Sequence, residues 1–600
     1  MKSYTRVFGW WLALLVVSLG AKLMLLALRV VDDGRTGVSG VWGAVAVVAE
    51  DVRLATFFAV FVALTGLRSP GRVAAVAVPA VFALLAAWIA VNVPIARLLS
   101  LPLTYGFLHA TGSALGDSIA RYATLSNLGL PLVLLAGGLA FARWVRPRVA
   151  PGRGPLIASA IGAVALLALG PIAIRRSETA GLHRNAVLAL GETAAARWLG
   201  ARRAARPPLT APACRSADDA SAPASALATL AGIARDRSVV WVILESAGAR
   251  ALPTYGNPRD TAPGVAALAR EGVVVERAYT AYPESIKGLF SVLCSREPPP
   301  GTEASDYAVG RIGCVPIAEE MARAGYRTGL FHSGWFVYLG MRAVVEKRGF
   351  QVLRDAATIV SPHRSSFGVD DRATADAVLA FVDSLPPGQR FFAVFMPIAG
   401  HHPYNAPGVA PRPFPELSDA DAYANDVHVA DDAFGRLRSG LRARRLDDRV
   451  VYVVVGDHGE AFREHPANIA HALYLYEENV RVPFIITAPG ALAAPAGGQR
   501  LPQLASLLDL APTTLALVGA RAPSQYEGQS LLDARPRPAR FSTEQGRRWA
   551  GLRDGRWKLI VDEESGRAQL YDLETDPGER VDLAGARPDV VDRYRPCVGR

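Results

Sequence analysis

Four apolar runs in this chain end on residues that can bind a metal or move a proton. VVYVVVG, from Val450, stops at Asp457 and His458, and VVWVIL, from Val239, stops at Glu245. RFFAVFMPI leads to His401 and His402, and AYPES brings Ser285 to an apolar, helix-like stretch. Two carboxylates and an imidazole are ligands for a divalent cation. A serine hydroxyl is a weak nucleophile until a cation lowers its pKa, and the same charge stabilises a phosphoryl group in transfer. At a helix start the hydroxyl would also sit in partial positive charge. His401 adds an imidazole able to shuttle a proton.

These residues need a scaffold that delivers several strand ends to one edge. From Ser238 onward strand-like and helix-like segments alternate: SVVWVILES, GVAALAREG, VVVERAYT, CVPIAEEMARAGY closing on Gly325, RTGLFHSG, a helix around Ala373 to Ser384, RFFAVFMPI, a helix around Ala422 to Leu441, VVYVVVGD and VPFIITAPG. That alternation predicts a mostly parallel sheet covered by helices on both faces, with ligands gathering at the carboxyl ends of the strands. Residues 238–535 are read as this catalytic domain and 536–600 as a small C-terminal subdomain.

The N-terminal part is of another kind. The chain has 600 residues, 51% of them hydrophobic, and the apolar excess lies in residues 1–176. Runs of about 20 apolar residues can cross a bilayer as helices. Five such spans are expected, near Phe8 to Val31, Val47 to Leu67, Val73 to Ile95, Leu128 to Val145 and Leu156 to Ile174. Arg68, Arg72, Arg143, Arg146, Arg148 and Arg153 place the N-terminus inside and the catalytic domain outside the cytoplasm, while Arg97, Arg121, Arg175 and Arg176 run against this rule. Glu50, Asp51 and Arg53 head the second span as a polar interfacial end or, alternatively, as part of a transport path. Ala96 to Asn127 is too polar to span and reads as an interfacial or re-entrant helix pair. Residues 177–237 are read as an amphipathic helix, Arg184 to Trp198, followed by a Pro, Ala and Ser-rich linker from Arg206 to Pro223.

All four cysteines fall in the outer part, where disulfides persist. Cys294 with Cys314 would close a loop of about 20 residues, worth roughly 3 kcal/mol of chain entropy. Cys214 with Cys597 is the second pairing. The net charge of +11 is dispersed, with no basic stripe interleaved with aromatics, which argues against a nucleic-acid partner and for anionic lipid surfaces.

Glu245, Ser285, His401, Asp457 and His458, in this order, resemble the alkaline phosphatase and sulfatase superfamily, and within it the membrane-anchored lipoteichoic acid synthase and phosphoglycerol transferase branch. GDHGEAFREH and HALYLYEENVRVPFIITAPG look like the family's metal strand and following segment. LLDLAPTTLALVG and WKLIVDEESGRAQLYDLETDPGERVDLAG look like its C-terminal antiparallel subdomain. The resemblance implies one divalent ion (Mn, Mg or Zn) on Glu245, Asp457, His458 and Ser285, with Ser285 as nucleophile in place of the synthases' usual threonine. It places His401 as an active-site histidine and Arg342 on the substrate phosphate. The synthases' neighbouring tryptophan is replaced by Gly340, with Trp335 and Tyr338 nearby to fill the pocket or the core. Lys287, His402, His332, His465 and His471 are further candidates for the substrate site, each with a packing role as the alternative.

The implied reaction moves a phospho-head group, phosphoglycerol or phosphoethanolamine, from a phospholipid to a glycan, lipid or polymer acceptor through a seryl intermediate, in a multi-pass protein of a bacterial inner membrane with its catalytic domain in the periplasm. A sulfatase would need formylglycine made within Cys/Ser-x-Pro/Ala-Ser-Arg. Ser285-Ile286-Lys287-Gly288-Leu289 lacks both the Pro/Ala and the Arg. Hydrolysis of a phosphate or sulfuric ester, with water as acceptor, is the alternative, and a catalytically inactive scaffold or transporter the third reading.

Overall fold

The computed structural model describes residues 3–34, 36–68, 72–105, 108, 116–148, 152–198, 214, 227–302, 304–308, 311–492, 498–533, 536–545 and 547–598. The N-terminal part is a bundle of α1 (Ser3–Asp33), α2 (Gly40–Arg68), α3 (Arg72–Leu99), α5 (Leu125–Arg148) and α6 (Arg153–Arg176), with the short α4 (Gly116–Tyr122) before α5 and α7 (Ala186–Trp198) after α6. Four of them, α1, α3, α5 and α6, are long and apolar enough to cross a membrane. The expected second span is a helix of 29 residues but is not among the four, because Glu50, Asp51 and Arg53 break its apolar run. Those charges have local partners. Asp51 pairs with Lys22 at 2.9 Å and accepts from Asn185 Nδ2 at 2.7 Å, and Glu50 accepts from Asn185 N at 2.5 Å. These charges lie inside α2 rather than at its end, and Glu50 and Asp51 tie it to α1 and to the segment that leads into α7.

Two arginines on the unfavoured side of the charge rule are likewise engaged, Arg97 with Asp32 at 2.7 Å and Arg121 with Asp419 at 2.5 Å. Of the expected interfacial pair, the described portion contains α4, which rests on the outer domain. The linker Arg206 to Pro223 lies outside the described residues except for Cys214.

The outer domain is built on a nine-stranded sheet of β1 (Ser238–Leu244), β2 (Val273–Tyr279), β3 (Arg327–His332), β4 (Val352–Arg354), β5 (Phe391–Met396), β6 (Val450–Gly456), β9 (Arg481–Val482), β10 (Phe484–Thr487) and β11 (Gln499–Ser506), while β7 (Ala461–Phe462) and β8 (Ile469–Ala470) form a separate hairpin. The order is β11-β2-β10-β6-β1-β5-β3-β4, with β9 beside β2. β1, β3, β4, β5 and β6 pair in parallel, and β10 runs antiparallel between β6 and β2, so β2 keeps the direction of β6. The central strands β1, β5, β6 and β10 are Val, Ile and Phe-rich and buried on both faces, as a covered sheet demands. Trp241 and Phe392 face a core closed by α8 (Ser285–Cys294) and helix Leu510–Leu517; Val240, Phe391 and Phe395 face α9 (Asp371–Asp383) and α10 (Asp419–Ala443). The segment LLDLAPTTLALVG therefore packs on the central sheet, with Trp241 Nε1 donating to Thr514 Oγ1 at 3.0 Å, rather than with the C-terminal strands.

The C-terminal end is a four-stranded antiparallel sheet, β12 (Ala539–Thr543), β13 (Trp549–Asp554), β14 (Trp557–Asp562) and β15 (Ala568–Asp572), backed by α11 (Pro588–Val598). Both disulfides are present, Cys294–Cys314 and Cys214–Cys597, with Cα atoms 5.5 and 5.4 Å apart.

Candidate metal and nucleophile site

Register brings the two acids together. β1 and β6 align residue for residue from Ser238 opposite Val450 to Leu244 opposite Gly456, so the next residues out of the sheet, Glu245 and Asp457, emerge side by side. Ser285 arrives from β2 as the first residue of α8. Its Oγ donates toward Glu245 Oε1 and Oε2 at 3.2 and 3.3 Å and lies 3.2 Å from His458 Nε2. Asp457 Oδ2 is 3.3 Å from that same nitrogen, while Asp457 Oδ1 accepts from the amides of Ser246 and His458, both at 2.8 Å. Ligand atoms of Glu245, Asp457 and His458 all lie within 4.8 Å of one another.

The donor set fits a divalent cation. Glu245, Asp457 and His458 are 4%, 3% and 0% exposed, and among the described residues no lysine or arginine pairs with either acid. Burial, and then the charge of Asp457, pushes Glu245 well above the ordinary carboxylate range; burial raises Asp457 too. Two like charges forced together without a counter-charge give this behaviour, and a cation reverses it. His458 Nδ1 lies 3.0 Å from the Gly459 carbonyl, which can only accept, so Nδ1 carries the hydrogen and Nε2 turns its lone pair to the site. Burial, and then the charge of His471, holds His458 well below the usual imidazole value, leaving it neutral as a ligand must be.

The helix start differs from expectation. Glu284, the residue before α8, accepts from the amides of Ile286 and Lys287 at 3.0 and 3.1 Å, so its own carboxylate takes the donors a substrate phosphate would use. His401 also has a restricted role. Its Nδ1 is 2.6 Å from the His402 carbonyl, which again makes Nε2 the acceptor, and burial takes its pKa down to about 3. A neutral His401 with a free Nε2 lone pair suits removal of a proton from an acceptor hydroxyl better than protonation of a leaving group. Phe367 and Tyr338 pack around its ring at 4.4 and 6.0 Å between centroids.

The other candidates separate by what they touch. His471 stacks on His458 at 4.0 Å and pairs with Glu460 at 2.7 Å; His458, Glu460 and His471 form a second set of closely spaced ligand atoms. His402 joins the site to the membrane part, since its Nε2 is 2.9 Å from the hydroxyl of Tyr122 on α4 and its ring stacks on Tyr122. Next to it, Tyr404 donates to Glu460, so contacts run from α4 through His402, Tyr404, Glu460 and His471 to His458. His465 turns away, pairing with Glu478 at 2.6 Å, donating from Nε2 to the Glu579 carbonyl at 3.1 Å, and stacking on Tyr476 at 3.8 Å.

Lys287 lies over the Tyr282 ring and donates to its hydroxyl at 3.3 Å; burial disfavours its charge, but the charges of Tyr282, Tyr307, Glu544 and Glu284 outweigh that and raise it. His332 is buried at the end of β3, 3.3 Å from the Met396 carbonyl, with burial lowering its pKa to about 4. Arg342 is exposed, and no side-chain contact among the described residues joins it to the site.

Five contributors escaped the sequence reading. Asp371, buried at the start of α9, accepts from the amides of Ile398 and Ala399 at 2.8 and 3.1 Å, and Asp426 accepts from Gly400 at 3.3 Å; together they hold the turn that carries His401. Gly400, at φ 108°, passes so close to the Glu245 carbonyl that a Cβ would lie 2.3 Å from it, so only glycine lets this turn reach the site. Tyr404 and Glu460 complete the set. The Asp370-Asp371 helix start and the Glu of GDHGE were visible signals, but their partners come from elements distant in sequence.

Residues 237–520 match the family described as Sulfatase, and residues 471–589 match the C-terminal region of N-sulphoglucosamine sulphohydrolase. Arylsulfatase K of Xenopus laevis is 28% identical over 216 residues, 32% of this chain and 39% of that protein. N-acetylgalactosamine-6-sulfatase of Canis lupus familiaris is 24% identical over 359 residues, 51% and 67% of the two chains. The chain thus spans about two fifths of the length of the first of these relatives. The crystal structure of the lipoteichoic acid synthase LtaP from Listeria monocytogenes shares the fold, with a TM-score of 0.51 at 19% identity over 63% of this chain and 94% of that one. The outer domain is thus a sulfatase-like α/β domain, matched over residues 237–520 by the family model and in part by these relatives.

Proposed function

We propose that the chain is a metal-dependent phosphotransferase that moves a phospho-head group, phosphoglycerol or phosphoethanolamine, from a phospholipid to an acceptor outside the cytoplasm. The observation that carries this reading is the Ser285 hydroxyl held between Glu245 and His458 at 3.2 Å. A divalent ion, Mn, Mg or Zn, on Glu245, Asp457, His458 and Ser285 would lower the hydroxyl's pKa and neutralise charge on the phosphate. Ser285 Oγ would attack phosphorus as its proton leaves toward Glu245, and the P–O bond to diacylglycerol would break, its oxygen leaving as the alcohol with a proton taken from water. His401 Nε2 then takes the proton of the acceptor hydroxyl, which displaces Ser285. A serine outside the formylglycine context favours a phosphoseryl intermediate over aldehyde chemistry. The docking of α4 on His402 favours a donor that arrives along the membrane, in a bacterial inner-membrane protein with this domain in the periplasm. Lys287, His402, His332 and Arg342 are kept as candidates for the lipid and acceptor pockets.

The matched relatives favour a second reading, hydrolysis of a sulfuric ester at the same site with water as acceptor. Vesicles containing the full chain with phosphatidylglycerol or phosphatidylethanolamine labelled in the head group separate the two. The phosphotransferase predicts label on an acceptor and loss of diacylglycerol-linked phosphate. Release of sulfate from an aryl sulfate, with no lipid turnover, would favour the sulfatase.

A further inference from the structure

A cavity of about 590 Å³ lies where the central sheet meets the C-terminal sheet, and no member of the Glu245, Ser285, Asp457 and His458 cluster lines it. Its size is that of a small-ligand pocket. Arg277, Arg481, Arg500 and Arg553 converge on it from β2, β9, β11 and β13.

What these arginines bond to is the informative part. Arg277 donates to the Pro502 carbonyl at 2.5 Å, Arg481 to the Glu276 carbonyl at 2.8 Å and Arg500 to the Thr254 carbonyl at 2.8 Å. Carbonyls orient a guanidinium but leave its charge. Among the described residues, only Arg500 of the four has a carboxylate in reach, Glu276 at 3.6 Å. The other acids on the wall, Glu477 and Glu574, are committed elsewhere, Glu477 to Lys558 at 3.0 Å and the Tyr279 hydroxyl at 3.1 Å and Glu574 to Arg556 at 3.6 Å. Arg553 is 4% exposed, and its Nε and Nη1 have no hydrogen-bond partner; neither has Nε of Arg481. A buried guanidinium with unmet donors is among the costlier arrangements in a fold, and a bidentate oxyanion is what its planar fork accepts best.

We propose that this cavity is a second anion site, for a ligand carrying two or more tetrahedral oxyanion groups, phosphate diesters or sulfate esters, with Arg553 at its base and Arg481 and Arg500 on its rim. One such group would meet the orphaned donors of Arg553 and Arg481 together, and the cavity has room for its neighbours along a chain. The site stands apart from Ser285 and from the reaction proposed there.

The test is calorimetric titration of the metal-loaded full chain in detergent with two probes, a synthetic trimer of glycerol phosphate and sucrose octasulfate. Binding of either probe is expected, weakened tenfold or more in Arg553→Met and measurably in Arg500→Gln, and unchanged in Ser285→Ala; the probe that binds identifies phosphate or sulfate chemistry. Arg500 is half-exposed, so Arg500→Gln decides the matter should Arg553→Met fail to fold. Absence of binding by both probes, or binding that Ser285→Ala weakens and Arg500→Gln leaves intact, overturns the proposal while leaving the transfer reaction at Ser285 to be judged by its own assay.

Discussion

Two buried clusters of acid and imidazole lie a few residues apart in sequence and are built on opposite principles. At His465 every charge has a partner. Burial works against ionisation of Glu478, but the bond from His465 overrides it and brings the carboxyl down to about 2; His465 is raised in turn despite its burial. At Ser285 the acids are equally buried, yet among the described residues no lysine or arginine pairs with them, His458 is held neutral, and both carboxyls are pushed upward although the charge of His471 pulls Asp457 the other way. The first cluster is complete and stabilises the fold. The second is short of positive charge, which is the signature of a site made for a cation.

Substitutions that exchange these behaviours would break the comparison. Ser285→Ala should lower head-group transfer by about a thousandfold or more in the vesicle assay while leaving the melting temperature unchanged, as expected for a nucleophile with no structural duty. Glu245→Ala should remove the bound divalent ion, read by elemental analysis of the purified chain. His465→Phe should leave metal content intact and destabilise the domain by about 3–5 kcal/mol, the usual result of stranding one partner of a buried pair. If His465→Phe lost the metal, the two clusters would not be separate.

The pH dependence sharpens the contrast. Glu478 has a folded pKa below its ordinary 4.5, so its contribution is present above pH 4.5 and lost as pH falls toward about 2. His465 is raised above 6.5, so its contribution is full below pH 6.5 and is lost as pH rises through the raised value. The stability gap between wild type and His465→Phe should therefore be widest between pH 4.5 and 6.5, measured by thermal unfolding, and narrow on both sides. The smallest effect belongs to the membrane contact. Tyr122→Phe removes the hydroxyl's bonds to His402 and Asp419, worth about 1 kcal/mol each, and should raise KM for the vesicle lipid several-fold with little change in kcat.

Much of this was legible in the chain because a covered parallel sheet writes its strands as continuous apolar runs, and the residue ending each run names itself. Glu245, Asp457 and His458 were found that way. Their juxtaposition with Ser285 came from the order of strands at one edge. The histidines were less legible, since a histidine near a strand end reads alike whether it stacks on a ligand, as His471 does, or completes an ion pair, as His465 does. Asp371 and Asp426 were hidden because they act on backbone amides of a turn that is remote in sequence. The second apolar span differs from the other four in carrying Glu50, Asp51 and Arg53, and the partners its acids find, Asn185 and Lys22, come from segments distant in sequence.

The central claim is that Ser285 carries the transferred group. Full-length protein, metal-loaded and quenched during turnover of head-group-labelled phospholipid, can be digested and the Ser285 peptide weighed by mass spectrometry. The account predicts a phospho-head-group adduct on Ser285 that Ser285→Ala abolishes and that decays when acceptor is added. Product formation with no adduct at Ser285, or a formylglycine found at that position, would contradict it.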